Sequence, residues 1–222
     1  MPHHVKRRRT YDATKRRADA LARRAAVLAA ARELFLLKGF AATTVAAVAE
    51  WAGVSQETVY KNFGSKPELV RALHDEAMRG EGPASPYRRS DDLRGRSDPY
   101  EIVRGWSRLS REVAPRVSPL LMLLRDAAVV QPDLRDLLAE LDEARHQRMS
   151  ENARFLHQAG HLRESVDIRA AADLMWSVTS PEMYELLVLR RGWSLDQYAD
   201  YIFHTVSSLL ATPRHAKPPN PW

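Results

Sequence analysis

Polar side chains suited to contact nucleic acid are concentrated in one short stretch of the sequence, residues 56–62. Only Val59 interrupts them, and the polar members are Gln56, Glu57, Thr58, Tyr60, Lys61 and Asn62. Amide, hydroxyl and ammonium groups bind phosphate oxygens and the edges of bases, and glutamine pairs naturally with adenine. With Val59 and Phe63 as apolar positions, this spacing predicts a helix with one buried face and one polar face.

This stretch forms the second half of a predicted helix-turn-helix. Apolar residues at helical spacing run from Val45 to Ala52. Gly53 then supplies a left-handed turn without a Cβ penalty, and Ser55 is a candidate N-cap for the helix that ends at Phe63. In a helix-turn-helix the second helix enters the DNA major groove. An ordinary helical hairpin in a bundle is the alternative interpretation of the same pattern.

Positive charge is concentrated in the same third of the chain. The 222 residues carry a net charge of +6, to which residues 1–80 contribute +7 and residues 81–222 contribute −1. The cluster of Arg7, Arg8 and Arg9 opens the basic region. Such asymmetry indicates a polyanionic partner, either nucleic acid or an anionic membrane surface. A solvated basic tail that only aids solubility is the alternative from charge alone.

Several classes of catalytic and metal site lack the residues they require. The chain has no cysteine, which excludes disulfide scaffolds, thiolate zinc sites and cysteine nucleophiles. No glycine-rich phosphate loop, G-x-S-x-G turn, membrane-length apolar run or signal-peptide h-region is found. His157 and His161 have the spacing of metal ligands, but Gly160 lies between them near a predicted helix end. We therefore expect a cytoplasmic protein that is not an enzyme and needs no metal or cofactor.

Helical periodicity predicts an all-α fold of about nine helices. A basic N-terminal arm (residues 1–17) precedes a three-helix helix-turn-helix domain (18–80). Because glycine, proline and serine dominate residues 81–99, we interpret them as a linker or mobile loop. Helical patterns resume over residues 100–211, and the proline-rich stretch 212–222 is interpreted as a disordered tail.

A gapless series of motif residues extends over about residues 18–78. In order they are Gly39-Phe40, Thr43-Thr44-Val45, Val48-Ala49, Ala52-Gly53-Val54-Ser55, Thr58-Val59-Tyr60, Phe63, Ser65-Lys66 and Leu69. This series resembles the N-terminal domain of the TetR/AcrR family of transcriptional repressors. A second series resembles the last helices of many actinobacterial-type members: Thr179-Ser180-Pro181-Glu182, Tyr184 and Arg191-Gly192-Trp193-Ser194.

The resemblance implies phosphate contacts at three positions. In the family, a threonine opening the second helix, a tyrosine late in the third and a lysine opening the fourth contact phosphates. These positions correspond to Thr44, Tyr60 and Lys66. The chemistry agrees, because a helix N-terminus attracts anions and the other two side chains donate hydrogen bonds. A half-buried packing role is the alternative for Tyr60.

Base contacts are expected from the exposed start of the third helix. The candidates are Ser55, Gln56, Glu57, Thr58 and Lys61. Glu57 departs from the family pattern, where a small residue is usual. Its carboxylate either accepts from a cytosine amino group, caps its own helix or pairs with Lys61, and local pairing is the favoured interpretation. Arg7, Arg8 and Arg9 resemble an arm that enters the minor groove, with non-specific phosphate attraction as the alternative.

By resemblance, residues 100–211 bind a small-molecule effector and form a dimer. The effector-site candidates are Trp106, Met122, Arg125, Asn152, Phe155, Met175 and Trp176. Ordinary core packing is the alternative, and Arg125 either meets an anionic ligand group or pairs with Asp126 or another acid. The dimer-interface candidates are Tyr184, Tyr198, Ile202, Val206 and Leu209, which an intramolecular core explains equally well.

Together these features favour a repressor that binds a palindromic operator as a homodimer. A lipophilic or aromatic effector in the C-terminal domain would release it from double-stranded DNA. One alternative is a regulator of the same type without a small-molecule effector. The other is a helical protein that binds RNA or an anionic membrane through its basic arm.

Overall fold

Ten α-helices and one π-helical segment make up the described part of the chain. The computed structural model describes residues 7–80 and 82–211, with side chains described from residue 13 onward. The elements are α1 (Arg7–Ala42), α2 (Val45–Trp51), α3 (Gln56–Phe63), α4 (Lys66–Arg79), α5 (Pro86–Leu93), α6 (Pro99–Ala128), α7 (Pro132–Gln158), α8 (Ile168–Val178), α9 (Pro181–Tyr184), the π-helical segment (Glu185–Arg190) and α10 (Leu195–Ser207). The all-α prediction is confirmed. No helix among the described residues is long and apolar enough to cross a membrane.

The chain divides into two compact units, and the boundary between them falls inside α4. The N-terminal unit is Met1–Leu73 and the C-terminal unit is His74–Trp222. The boundary therefore precedes the predicted one at residue 80. The proline-rich stretch 212–222, predicted to be a disordered tail, lies outside the described residues.

The first helix is longer than the periodicity predicted. Its backbone is helical from Arg7, so the prediction of a separate basic arm over residues 1–17 is wrong for residues 7–17. Residues 13–20 hold alanine and polar side chains only, all exposed, and a helix with no buried face gives no apolar periodicity. At its other end the helix is broken by Gly39, which has φ 80° and ψ 167°.

A buried threonine joins the end of α1 to the helix-turn-helix. Thr43 is 1% exposed, and its hydroxyl lies 2.8 Å from the Gly39 carbonyl oxygen and 3.1 Å from that of Leu34. Both carbonyls lie near the broken helix end, where backbone acceptors lack helical partners. Phe35 and Phe40 stack beneath this turn with ring centroids 5.5 Å apart. The core of the N-terminal unit thus sets where α2 begins.

The stretch predicted to be a linker contains a helix. Residues Pro86–Leu93 form α5, which is capped by the Ser85 hydroxyl and packs against α6. Arg89 donates two hydrogen bonds, of 3.0 and 2.7 Å, to the two carboxylate oxygens of Glu112. The linker prediction for residues 81–99 is therefore wrong across α5. The helix was missed because its buried residues are Pro86 and Ser90 rather than aliphatic side chains.

Helix α6 is central to the C-terminal unit and packs against α5, α7, α9 and α10. Pro115 and Pro119 lie within it, and each removes one backbone donor from the helix. Prolines also occupy the first turn of five helices, where a missing N–H costs little. They are Pro67, Pro86, Pro99, Pro132 and Pro181.

Candidate nucleic-acid interface and ligand cavity

The turn between α2 and α3 holds the two helices in a fixed register. Gly53 has φ 67°, the left-handed conformation expected from the sequence. The Val54 N–H donates to the Ala49 carbonyl at 2.9 Å, which closes the turn. Ser55 then caps α3 by accepting from the Thr58 N–H at 3.2 Å. A short loop with satisfied backbone groups therefore delivers the start of α3.

The two faces of α3 separate as the sequence predicted. Val59 and Phe63 are buried, whereas Gln56, Glu57 and Lys61 are exposed. Tyr60 is 50% exposed, so its ring is not a core residue. The helix therefore presents one contiguous polar surface with an amide, a carboxylate, a phenol and an ammonium group.

The hydroxyl groups of Ser55 and Thr58 partly satisfy each other's hydrogen bonding. Their hydroxyl oxygens lie 2.9 Å apart, and the Ser55 oxygen also accepts from the Thr58 backbone. Asn62 donates to the Thr58 carbonyl at 2.7 Å. The polar groups left free to contact a partner are therefore concentrated at the start of α3 and on Tyr60 and Lys61.

The favoured pairing of Glu57 with Lys61 is not formed. Within the residues that the structure describes, no ion pair joins these two exposed side chains. Both side chains are exposed, and Glu57 lies in the first turn of α3, where a carboxylate interacts favourably with the helix N-terminus.

Two of the predicted phosphate contacts lie at the starts of helices. Thr44 is exposed and caps α2, its hydroxyl accepting from the Ala47 N–H at 3.1 Å. Lys66 opens α4, and its ammonium nitrogen lies 4.0 Å from the centroid of the Phe40 ring. Partial burial lowers the pKa of Lys66 below its ordinary value. The side chains of Arg7, Arg8 and Arg9 lie outside the described residues.

Arg24 on α1, which the sequence analysis did not single out, packs against α3 within the N-terminal unit. The guanidinium carbon of Arg24 lies 4.5 Å from the centroid of the Phe63 ring. The exposed Trp51, at the end of α2, donates to Glu33 at 3.2 Å. Neither contact was visible from spacing, because each joins residues on different helices.

The C-terminal unit contains a partly open cavity of about 160 Å³. Its lining comes from α4, α5, α6, α7, α8, the start of α9 with the turn before it, and α10, and most of it is apolar. Three of the seven predicted effector contacts line it, namely Trp106, Asn152 and Met175. Asn152 is 2% exposed and accepts a 2.8 Å hydrogen bond from Arg94.

The other four predicted contacts are not among the lining residues. Arg125 is held by carboxylates instead: Asp126 and Glu185 at 3.3 Å and Glu182 at 3.5 Å. Pairing of Arg125 with acidic side chains is the alternative that the sequence analysis left open.

The remaining three pack elsewhere or use their polar atoms within the protein. Phe155 makes edge contacts with Trp106 and His161, at centroid distances of 6.5 and 6.4 Å. The Trp176 N–H donates to Asp142 at 3.2 Å. Met122 is half-buried on α6. Met122, Arg125, Phe155 and Trp176 thus do not line this cavity, and their roles as effector contacts stay predictions.

Two arginines that the sequence analysis missed line the cavity, Arg145 and Arg148 on α7. They share one helical face with Leu141, Met149 and Asn152, which also line it. Spacings of three and four residues were the available signal. That signal is weak for arginine, because a guanidinium ordinarily lies on the solvated side of a helix.

The five predicted dimer contacts belong to the core of the chain itself. Tyr184, Tyr198, Ile202, Val206 and Leu209 all lie in one buried cluster and are at most 8% exposed. Side chains covered in this way have almost no surface left for a second copy. The interface prediction at these positions is corrected in favour of the intramolecular alternative.

Comparison with known proteins places this geometry in a family. Residues 27–73 match the family described as "Bacterial regulatory proteins, tetR family". The HTH-type transcriptional regulator TtgR of Pseudomonas putida is 44% identical over 57 residues, which cover 26% of this chain and 27% of TtgR. The similarity to that relative thus spans only about a quarter of its length.

Two further matches extend over most of the chain. The uncharacterized HTH-type transcriptional regulator YdeS of Bacillus subtilis is 30% identical over 192 residues, covering 84% of this chain and 89% of YdeS. The structure of SmeT in complex with triclosan aligns with a TM-score of 0.69 and 17% identity, covering 90% of this chain and 96% of SmeT. The second match concerns the fold alone.

Proposed function

Since the chain belongs to the tetR family of bacterial regulatory proteins and is a DNA-binding transcriptional regulator, we propose that it is a homodimeric repressor. It binds a palindromic operator in the cytoplasm and leaves it when a small lipophilic or aromatic molecule occupies the cavity of the C-terminal unit. The observation that carries the DNA-binding half is the exposed polar face of α3, whose opposite face is buried.

The proposed DNA contacts fall into two groups. Thr44, Tyr60 and Lys66 bind phosphates, because two helix starts and a half-exposed phenol offer donors to anionic oxygens. The base-reading group lies on α3, where Gln56 in the first turn and Lys61 in the last turn are both exposed. Its full membership is Ser55, Gln56, Glu57, Thr58 and Lys61, with Arg7, Arg8 and Arg9 as the proposed minor-groove arm.

We assign Glu57 to a base contact rather than to its own helix. Its carboxylate has no ion-pair partner among the described residues, and facing phosphates unpaired would be unfavourable. Accepting a hydrogen bond from a cytosine amino group removes that conflict.

The proposed dimer uses a surface other than the one predicted from sequence. Leu186 and Leu189 on the π-helical segment are 46% and 53% exposed. They lie three residues apart on this one short segment. Exposed apolar residues that occur close together mark protein contact surfaces more often than isolated ones do. A two-fold pair of chains would place two α3 helices on a two-fold operator.

The effector half of the proposal is supported by the cavity and by α4. His74 and Met78 line the cavity, and the same helix opens with Lys66. Arg116 on α6 donates to the Ala77 carbonyl at 3.0 Å and so holds the last turn of α4. The related fold of SmeT was determined with triclosan, which supports a small aromatic molecule as the type of effector. A fully packed C-terminal core would instead have favoured a regulator without an effector.

Fluorescence anisotropy with duplexes recovered from genomic fragments tests the DNA interface. The double variant Tyr60→Phe, Lys66→Ala is expected to weaken binding to every duplex, because phosphate contacts carry no sequence information. Gln56→Ala is expected to reduce discrimination at one position by about 1–3 kcal/mol. The operator complex should contain two chains per duplex.

Arg169→Ala provides the matched control, since Arg169 is exposed on α8 and its loss removes the same single positive charge. Unchanged affinity and footprint in both interface variants would contradict the proposal.

The charge of +7 on residues 1–80 supports one other candidate function, binding of RNA or of an anionic membrane. That candidate replaces the DNA-binding repressor if RNA or anionic vesicles displace duplex DNA and the interface variants bind RNA or vesicles as the parent does.

A further inference from the structure

The cavity of the C-terminal unit is lined by two guanidinium groups and by no carboxylate. We infer that its ligand is a small organic anion, with an apolar body of about one aromatic ring and one carboxylate held by Arg145 and Arg148. This inference rests on the proposed effector function and specifies the chemical class of the effector.

The size and walls of the cavity set the apolar part of the ligand. Its volume of about 160 Å³ is close to that of a protein cavity that holds one benzene molecule. Trp106, Leu109, Val113 and Met175 are among the apolar lining residues, and an aromatic body would bury its surface against them. A long acyl chain would exceed this volume.

Arg145 is held by two acceptors, which use two of its five N–H groups. It donates to the Trp176 carbonyl and to Asp142 at 2.9 Å. Asp142 also accepts from the Trp176 indole at 3.2 Å, so its charge is shared between two donors. The Arg145 Nε–H is buried and has no hydrogen-bond partner among the described residues.

Arg148 repeats this arrangement one turn further along α7. Its side chain is only 12% exposed. It donates to the Tyr87 carbonyl at 2.8 Å, to Asp91 at 2.7 Å and to Glu151 at 3.3 Å. Its Nε–H is also buried without a partner in the described part of the chain. These acceptors use three of its five N–H groups and orient the guanidinium.

A carboxylate in the cavity is a better acceptor than a neutral group for the remaining N–H groups of the two guanidinium groups that line it. Buried N–H groups without acceptors are unfavourable, and a charged acceptor forms the stronger hydrogen bond. Residues three apart on a helix lie about 5–6 Å from each other at their Cβ atoms, which suits two donors to a single carboxylate. The carboxylates that balance the arginines, Asp91, Asp142 and Glu151, are not lining residues, so they do not fill this position.

Isothermal calorimetry on the full chain at neutral pH tests the inference with four probes. Benzoate and phenylacetate carry the charge, and benzamide and benzyl alcohol are their neutral counterparts. We expect each acid to bind at least about tenfold more tightly than its neutral counterpart, the difference of one charge-assisted hydrogen bond. Equal or tighter binding of the neutral probes overturns the inference, and so does the absence of binding by all four.

Variants assign the selectivity to the two arginines. Arg145→Gln and Arg148→Gln are each expected to reduce the preference for acids to about twofold or less, while neutral probes bind as before. Arg145→Lys and Arg148→Lys keep the charge and are expected to retain part of the preference, which remains measurable if a glutamine variant does not fold. Arg125→Gln is the matched control, because Arg125 does not line the cavity. Acid preference that persists in both glutamine variants overturns the assignment.

Duplex binding, measured separately without any probe, distinguishes this inference from the proposed function. Neutral probes that release DNA while acids do not would overturn the anion class and leave the repressor proposal standing. Acid-selective binding by a chain that does not bind duplex DNA would overturn the repressor proposal and leave the anion class standing.

Discussion

The polar face of α3 and the polar face of α7 differ in what positions their side chains. On α3 the partners are neighbours in sequence: Ser55 caps the helix, and Val59 and Phe63 anchor it. On α7, Arg145 and Arg148 each donate to a carboxylate three residues away and also to acceptors 31 to 61 residues away, on α8 and α5. The difference teaches that an exposed recognition surface is a local property, whereas a cavity is assembled from distant elements.

The largest effect is expected from Phe35→Ala, which removes a ring that is 0% exposed and stacks on Phe40. Loss of a buried phenylalanine costs about 3–5 kcal/mol of folding stability. Hydrogen exchange should rise across residues 27–73 and duplex binding should fall, while protection of α6 and α7 persists. Leu37→Ala is the control on the same helix, since Leu37 is 71% exposed, and it should change stability by no more than about 0.5 kcal/mol. Equal loss of protection in both units would break the comparison.

Alanine substitution of two glycines, one in each unit, should destabilise the fold for different reasons. Gly53→Ala adds a Cβ that meets nothing within 4 Å, so only the left-handed backbone opposes it, at about 1–2 kcal/mol. Gly105→Ala places a Cβ 2.5 Å from the Leu93 side chain, and such overpacking costs about 1–3 kcal/mol.

Thermal unfolding of the double variant Gly105→Ala, Leu93→Ala distinguishes the two causes. Removing the Leu93 side chain should relieve most of the penalty of Gly105→Ala, and a strictly additive result would show that the close contact is not its cause. Gly53→Asn should be milder than Gly53→Ala, because asparagine tolerates the left-handed region.

Loss of the α3 cap should have a smaller and purely local effect. Ser55→Ala leaves the Thr58 N–H without its acceptor and is expected to cost about 1 kcal/mol. Ser55→Asp restores an acceptor and should recover most of that stability in chemical denaturation. If Ser55→Asp were as destabilising as Ser55→Ala, the capping role would be wrong.

The smallest effect is expected at the ion pair that joins α5 to α6. Hydrogen bonds from Arg89 are the main cause that lowers the pKa of Glu112 below its ordinary value. A carboxyl whose pKa is lowered on folding stabilises the fold above its unfolded pKa, and that contribution disappears as the pH falls through the folded pKa. Because both side chains are about one-third exposed, we expect about 1 kcal/mol or less.

Denaturation of the Glu112→Gln variant at several pH values measures this contribution. The variant should be less stable than the parent at neutral pH, and the two should converge in acid. A constant difference across the whole range would mean that the ionised carboxylate is not what joins α5 to α6.

Features within a few residues of each other were predictable because backbone geometry determines them. Gly39 and Gly53 occupy left-handed positions as their places in the pattern required. Ser55 is the N-cap of α3, and Val59 and Phe63 form its buried face. The start of α1 and the presence of α5 were not predictable in this way, because one helix begins without an apolar face and the other buries proline and serine.

Only some of the residues predicted for an effector site line the cavity, and the cations that line it are not the predicted one. Trp106, Asn152 and Met175 line it as expected, yet Arg125 is held by surface carboxylates while Arg145 and Arg148 are drawn inward. All three are arginines on amphipathic helices, and nothing in their spacing separates them. Their environments differ because distant acceptors, the carbonyls of Trp176 and Tyr87, lie beside only two of them.

The sequence by itself determined the all-α class, the helix-turn-helix and the concentration of positive charge in the first 80 residues. Each of these depends on residue type and on spacing within one or two helical turns. Only the tertiary structure decided which apolar side chains are core, which line a cavity and which remain exposed, as Tyr198 and Leu186 illustrate. Burial is a property of what packs against a residue, and helical periodicity specifies the face of a helix but not its neighbour.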